Sequence, residues 1–421
     1  PAPLCAGTAG RTPNNHIGGS MRHLLLTLAV LTLAVVASAD EDAIASRTTI
    51  GDVPRTYTHF MNAQEAALCR ANAAAGGVAA YFFNPAVIAD IPGVSGQATM
   101  RVNAKSRNYL PDGDNYLDAS DDAFLFSQAV AAKRTDMYAL GFGYSCPSYR
   151  NLELSGRVDG ASYHGVFQGG LRFFEVLAAA RIGTEGQGAI GIAAGIASLN
   201  ESATEKGTEQ RYIRTADMDG IAASVAIGMI FDAMDRLQFG FGYRFSTEVD
   251  VEGEWHTESG GAVTSGTTKT EPVAVVGARY TPVDDCTFYV SYIHERWTKA
   301  QSSFAAYYDT GECEDCNEND GRRDEFGSAL GTAAIGAEGT VLDGRLTVRA
   351  GFSMPVGADF DNADEPEYRE LVPEYAAGVG GTVRFEQYSV EAAFVRELYA
   401  DGTESEQVVN HGTYVTVGYD F

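Results

Sequence analysis

The last eight residues, Tyr414-Val-Thr-Val-Gly-Tyr-Asp-Phe421, constrain this chain more than any other stretch. They alternate without a fault. Val415, Val417, Tyr419 and Phe421 fall on one side of a strand, and Tyr414, Thr416, Gly418 and Asp420 on the other. One face is apolar and aromatic; the other is small and polar. Soluble domains tend to fray at their termini and seldom place such a strand there. In a membrane barrel the last strand must pair with the first, because an open edge in lipid leaves backbone groups unsatisfied. The stretch is expected to close a barrel.

The beginning of the chain reads as an export signal. Arg22 and His23 follow Met21, Leu24 to Val36 is an apolar run, and Ala37-Ser38-Ala39 reads as a cleavage site before Asp40. The run is too short for a spanning helix, which needs about 20 apolar residues. Residues 21–39 are read as a signal peptide, and residues 1–20 as upstream sequence or a cloning remnant. From Asp40 onward the chain keeps all 56 acidic residues and 28 of the 30 Lys and Arg, since Arg11 and Arg22 precede it, for a formal charge of -28. A polyanion of this kind repels nucleic acid. The 47 glycines, 21 Phe and 21 Tyr are strand composition rather than helix composition.

Residues 41–75 include an Ala-, Gln- and Glu-rich run after Phe60 that predicts one short helix, stopped by Gly76-Gly77. The segment from Val78 to Gly93 is apolar but holds Pro85 and Pro92, which suit neither a helix nor a ladder. It reads as a compact, buried plug, so that 40–95 form an N-terminal hatch and 96–421 the barrel. Fourteen strands are expected, at 96–108, 121–132, 136–146, 163–183, 187–201, 216–231, 236–250, 268–282, 286–298, 327–340, 344–355, 373–384, 387–399 and 411–421. The stretch 163–183 is long enough to hide a hairpin near Phe173-Phe174.

Short connectors alternate with long ones, which is the rhythm of an outer-membrane barrel with periplasmic turns and outer loops. Leu237, Phe239, Phe241, Tyr243 and Phe245 share one face, and Gln238, Gly240, Gly242 and Arg244 share the other. Leu346, Val348, Ala350, Phe352 and Met354 likewise oppose Thr347, Arg349, Gly351 and Ser353. The polar face is expected to line a wet lumen.

At Gly76-Gly-Val-Ala-Ala-Tyr-Phe-Phe-Asn84-Pro85-Ala86 the chain resembles the long-chain fatty-acid transporter family, FadL-type, which includes toluene and xylene porins. The resemblance implies an all-β, fourteen-stranded transmembrane barrel whose N-terminal residues fold into a hatch holding the Asn-Pro-Ala. It implies passive uptake of hydrophobic compounds, with capture outside, a hatch that shifts, and lateral exit through the wall. Many members carry an acidic residue and a Ser shortly before the Asn, where this chain has apolar residues 78–83. The candidate ligand and hatch residues are Tyr81, Phe82, Phe83, Asn84, Pro85 and Ala86; the competing view of Asn84-Pro85 is a plain turn.

Cys313 and Cys316, in the loop 299–326, read as a disulfide tying that loop; one Cys pair without a nearby His does not supply a zinc site. Asp315, Asn317, Asn319 and Asp320 alternate like calcium ligands, but the Gly falls late and the default is a solvated acidic loop. His294, Glu295 and Arg296 read as a charge cluster at the rim. No nucleophile motif stands out, so an enzyme is not expected, nor is a cofactor. Expected partners are hydrophobic small molecules, outer-membrane lipid and lipopolysaccharide, and the barrel-assembly machinery through the Phe421 strand. The rival reading is a structural or secretion-associated barrel that binds a protein through its acidic outer loops.

Overall fold

The computed structural model describes residues 60–420 apart from 104–105, 110–115, 121–122, 159–160, 184–186, 208–212, 258–259, 271, 297–301, 307–327, 361–372 and 401–406. In chain order the strands are β1 (Val94–Asn103), β2 (Ser106–Tyr109), β3 (Tyr116–Ser120), β4 (Ala123–Arg134), β5 (Tyr138–Val158), β6 (Ala161–Ile182) and β7 (Gly188–Gly207). They continue as β8 (Ile213–Met234), β9 (Leu237–Arg244), β10 (Glu248–Thr257), β11 (Gly260–Lys269), β12 (Val273–Val283) and β13 (Cys286–Arg296). The last are β14 (Ser302–Ala306), β15 (Ser328–Val341), β16 (Leu346–Phe360), β17 (Pro373–Phe385), β18 (Tyr388–Ala400) and β19 (Gln407–Asp420).

Fourteen of these form one closed antiparallel ring, β1-β4-β5-β6-β7-β8-β9-β12-β13-β15-β16-β17-β18-β19. β19 closes it on β1, with Gly96 opposite Tyr419, Ala98 opposite Val417 and Met100 opposite Val415. The other five strands prolong or brace the ring on its long-loop side. Every expected strand has its counterpart.

Five expected loops are corrected: 109–120 holds β3, 299–326 holds β14, and in three more a hairpin continues. β5 and β6 stay paired up to Val158 and Ala161, β7 and β8 up to Lys206 and Ile213, and β10 and β11 up to Thr257 and Gly260. Polar composition concealed these strands: beyond the bilayer both faces of a hairpin are wet, so apolar alternation is not required. The hairpin suspected near Phe173-Phe174 is absent, because β6 is continuous there; Phe173 turns inward and is buried while Phe174 is exposed. About 10 residues cross a bilayer, so this strand's length comes from rising beyond it.

The expected faces hold. Phe142 (70% exposed), Phe174, Phe239, Phe241, Val290, Ile335 and Val417 point outward, all around the ring. Tyr138, Tyr280, Phe385 and Tyr388 stand exposed near the short turns, where aromatic side chains meet the membrane interface. Such a belt on a monomeric surface marks a membrane-facing wall. No helix among the described residues is long and apolar enough to cross a membrane; the crossing is made by strands.

The lumen face differs from expectation. Gln238, Arg244, Thr347 and Arg349 are buried rather than wet: Gln238 and Arg244 bond plug residues Asp90 and Phe82, whereas Arg349 sits in a wall network with Glu338, Thr382 and Glu391, and Thr347 meets Thr340. Residues 60–93 are that plug. Substituting Phe241 by Arg on the lipid face should cost about 2–4 kcal/mol of folding stability. Denaturant unfolding of the variant in phospholipid bilayers measures it.

Candidate functional site

The plug starts with a helix, α1 (Ala63–Ala67). Its start is held twice: Asn62 Oδ1 accepts from the Glu65 amide at 2.8 Å, and Glu65 Oε2 accepts from the amide of Met61, the residue before the cap, at 3.1 Å. Glu65 also pairs with Arg70 at 3.0 Å. Burial raises the Glu65 carboxyl pKa, and the Arg70 guanidinium opposes that rise. The helix ends well before Gly76, against expectation. Cys69 and Arg70 take left-handed backbone, with φ of 48° and 66°, and turn the chain across the barrel. Two 3-10 turns follow, Val78–Phe82 and Pro85–Asp90.

What the Ala-rich run lies on explains its composition. Wall glycines meet plug backbone directly: a Cβ at Gly351 would strike Leu68, one at Gly378 the Ala66 carbonyl, and one at Gly240 the Ala74 carbonyl. Small residues on both sides let a rigid plug lie against the wall without gaps.

Asn84 is more than a turn residue. Its Oδ1 accepts from the Ala86 amide at 3.1 Å and caps the second 3-10 turn, with Pro85 as the first residue of that turn. Its Nδ2 donates to the Ala74 carbonyl at 2.5 Å and to the Met229 carbonyl of β8 at 3.1 Å. The wall leaves room for this at Gly228, where a Cβ would strike Asn84 and Pro85. Asn84 thus ties two plug segments to each other and to the barrel.

A second tie is ionic. Arg244 of β9 is 1% exposed and Glu175 of β6 is 3% exposed. They form a two-pronged pair at 2.6 and 3.0 Å, and Ser224 of β8 joins both. The other edge of the guanidinium donates to the Phe82 carbonyl at 2.9 and 3.3 Å. Its carbon lies 3.8 Å from the centre of the Phe82 ring, and Phe82 meets Phe173 edge-on at 5.3 Å. A wall cation therefore holds a plug backbone and a plug ring together.

The wall itself has a gap in its hydrogen bonding. β4 and β5 pair from Gln128 opposite Ser145 down to Arg134 opposite Ala139. Above that point β5 pairs next with β3, at Glu153 opposite Ser120. Among the described residues, β4 from Ala123 to Ser127 and β5 over 146–152 share no ladder. Pro147 supplies the cause, since it has no N–H, and β5 shifts register against β6 between Ser145 and Ser148. The expected strand end at Cys146 is therefore a bulge inside a longer strand.

The plug fastens to the edges of this gap. Ser127 Oγ donates to the Met61 carbonyl at 2.7 Å, and Gln128 Nε2 to the Ala79 carbonyl at 3.1 Å. Asn62 Nδ2 donates to Gln128 Oε1 at 3.0 Å. On the β5 side the Tyr81 hydroxyl is hydrogen-bonded to Ser145 Oγ at 2.6 Å. Burial, and then the Glu175 carboxylate, push the Tyr81 hydroxyl above the usual range, so it stays neutral.

Tyr81, Phe82, Phe83, Asn84, Pro85 and Ala86 all lie together in the plug, and all are buried. Ser127, Gln128, Ser145, Glu175, Ser224 and Arg244 are site residues that the sequence reading missed. An Arg and a Glu at mid-strand in a membrane-facing chain were the available signal, because charges at that depth are rare unless paired. Glu295 is not part of a rim cluster. It is buried, close enough to plug residue Arg70 to raise that group's pKa together with Glu65 against the opposing effect of burial. Cys313, Cys316 and the calcium candidates Asp315, Asn317, Asn319 and Asp320 lie outside the described residues. So do Phe421 and the signal region.

Replacing Arg244 by Met should cost about 3–5 kcal/mol, since Glu175 is left buried without its partner. Adding Glu175→Gln should recover part of that loss. A double-mutant cycle from chemical unfolding in detergent reads the coupling.

No family model and no curated protein sequence matches the chain. Solved structures do. One is the "CymD monoaromatic hydrocarbon channel", at 11% identity and a TM-score of 0.58, over 86% of this chain and 97% of that one. Another is a Pseudomonas aeruginosa FadL homologue, at 15% identity and a TM-score of 0.56, over 87% and 99%. A third is the Ralstonia pickettii toluene transporter TbuX, at 11% identity and a TM-score of 0.58, over 85% and 98%. The chain has the fold of the FadL-type outer-membrane channels.

Proposed function

We propose that this protein is an outer-membrane channel for passive uptake of hydrophobic compounds, long-chain fatty acids or hydrocarbons, through a plugged barrel. The observation that carries this reading is the coincidence of plug and gap. Ser127, Gln128 and Ser145 border the place where the β4–β5 ladder stops, and each is fastened to the plug. A plug that shifts would release both edges of the gap at once. An apolar molecule could then leave sideways into lipid without passing through the polar end of the barrel.

Several plug contacts are of a kind that can be exchanged. The Tyr81–Ser145, Gln128–Ala79 and Ser127–Met61 bonds are neutral, each worth about 0.5–1.5 kcal/mol net. The Arg244–Glu175 pair and the Asn84 tie hold the plug to β6, β8 and β9 rather than to the two strands that border the gap, and would act as the pivot. Phe82 and Phe83 are packed against the wall in the closed state. In this reading they become a surface for the apolar molecule only as the plug moves. The neighbours support the ligand class: one is a monoaromatic hydrocarbon channel and another a toluene transporter.

The test is uptake by the purified full chain in liposomes, comparing oleate and toluene with small sugars of similar mass. Oleate or toluene should enter and sugars should not. Sugars entering as readily as oleate would overturn the proposal. Tyr81→Phe removes one fastening while keeping the ring. It should raise uptake or leak up to about tenfold, the equivalent of roughly 1.4 kcal/mol.

A further inference from the structure

On the lipid-facing side of the barrel, a groove of about 760 Å³ runs over β1 and β4. Its floor is small: Gly96 and Ala98 on β1, Ala129 and Ala131 on β4. One wall is aromatic, made by Phe142 and Tyr144 of β5 and Phe174 of β6. The opposite wall is Val417 and Tyr419 of β19 with Tyr388 of β18. Most of the barrel's outer face carries bulky Ile, Val and Phe, so small side chains on two adjacent strands recess the surface here.

The groove begins where the gap ends. Ala129 and Tyr144 are opposite one another, one step below the last rung at Gln128 and Ser145. Phe126, on the part of β4 that pairs with β1 but not with β5, stacks on Tyr144 at 5.4 Å, and Tyr144 packs on Phe174 at 5.1 Å. These three rings make a continuous apolar sill from the gap onto the groove wall. From there the groove runs toward the short-turn rim, where Tyr388 and Tyr419 stand 4.7 Å apart between ring centres.

We propose that this groove is a second binding site, on the outside of the wall, for the transported apolar compound after it leaves the gap. This rests on the channel reading above and adds to it a landing place and a direction, toward the short-turn leaflet. The ligand class is an unbranched acyl chain or a small aromatic hydrocarbon. The recess takes a chain lying across the strands, along the row Phe142, Ala131, Gly96, Tyr419 and Tyr388, and the rings take an aromatic face. Its position against the gap favours the compound that the gap releases over a resident membrane lipid.

The experiment uses the full chain in liposomes with two photoreactive probes: a diazirine-bearing palmitate added outside, and a diazirine-bearing phosphatidylcholine built into the bilayer. After illumination, labelled peptides are mapped, and oleate uptake is followed in parallel. The palmitate probe should label the peptides of Phe142, Tyr144 or Val417, and unlabelled oleate should suppress that labelling at least fivefold. The variant Ala98→Phe/Ala131→Phe fills the groove, exchanging apolar for apolar on the lipid face. It should lose the labelling and slow uptake several-fold, whereas Ile335→Phe, an outward change on β15, should alter neither.

Labelling by the phosphatidylcholine probe alone, or palmitate labelling that oleate does not suppress, would show a lipid groove and overturn the proposal. So would normal uptake in a folded groove-filled variant. No oleate uptake by the parent would overturn the channel function itself, which separates that failure from failure of the groove. Oleate competition in the parent needs no variant, so the proposal stays testable if the filled barrel does not fold.

Discussion

In lipid, a backbone N–H or C=O without a partner costs several kcal/mol, and this one constraint organises the whole molecule. It demands the ring of fourteen strands and the pairing of β19 with β1. It also makes the interrupted β4–β5 ladder a place that calls for explanation. Where wall pairing stops, two plug carbonyls and the Tyr81 hydroxyl bond the side chains of the flanking Ser127, Gln128 and Ser145. Barrel and plug are thus one hydrogen-bonding system, and a change in either must be answered in the other.

Two sorts of contact divide the labour within the plug. Close packing of alanine against wall glycine is non-directional, and it sets how the plug fits. The Arg244–Glu175–Ser224 cluster is directional and lies in a low-dielectric interior, where an unpaired charge is costly. It fixes one orientation of Phe82. A plug held by packing alone could slide; one held at a charged corner has a definite place to return to.

Much of this was legible beforehand. Alternation over Leu237 to Phe245 and Leu346 to Met354 assigned inner and outer faces correctly, because lipid imposes apolarity on every second residue. The same rule fails outside the bilayer, which is why the upper parts of β5 to β8 read as loops. Asn84-Pro85-Ala86 read as a hatch motif or a plain turn, and nothing local to it shows that the amide reaches the Met229 carbonyl, 145 residues away. The wet lumen was a misreading of a real polar face: Gln238 and Arg244 are polar because they hold a plug, and only a three-dimensional partner reveals that. The early end of α1 was hidden for a related reason, since Cys69 and Arg70 adopt left-handed backbone under tertiary packing.

The strands do not rise equally. β5 to β8 run for 20 to 22 residues each, whereas β1 and β4 have 10 and 12. The β2–β3 hairpin makes up the difference: it stands above β1 and β4 and pairs with β5 as far as Tyr116 opposite Arg157. The interrupted wall is therefore framed by paired strands above as well as below, a window in the barrel rather than a notch open to its mouth. A framed window keeps its edges in place when the outer end of the barrel moves, so approach from outside and passage sideways are set by separate parts of the wall.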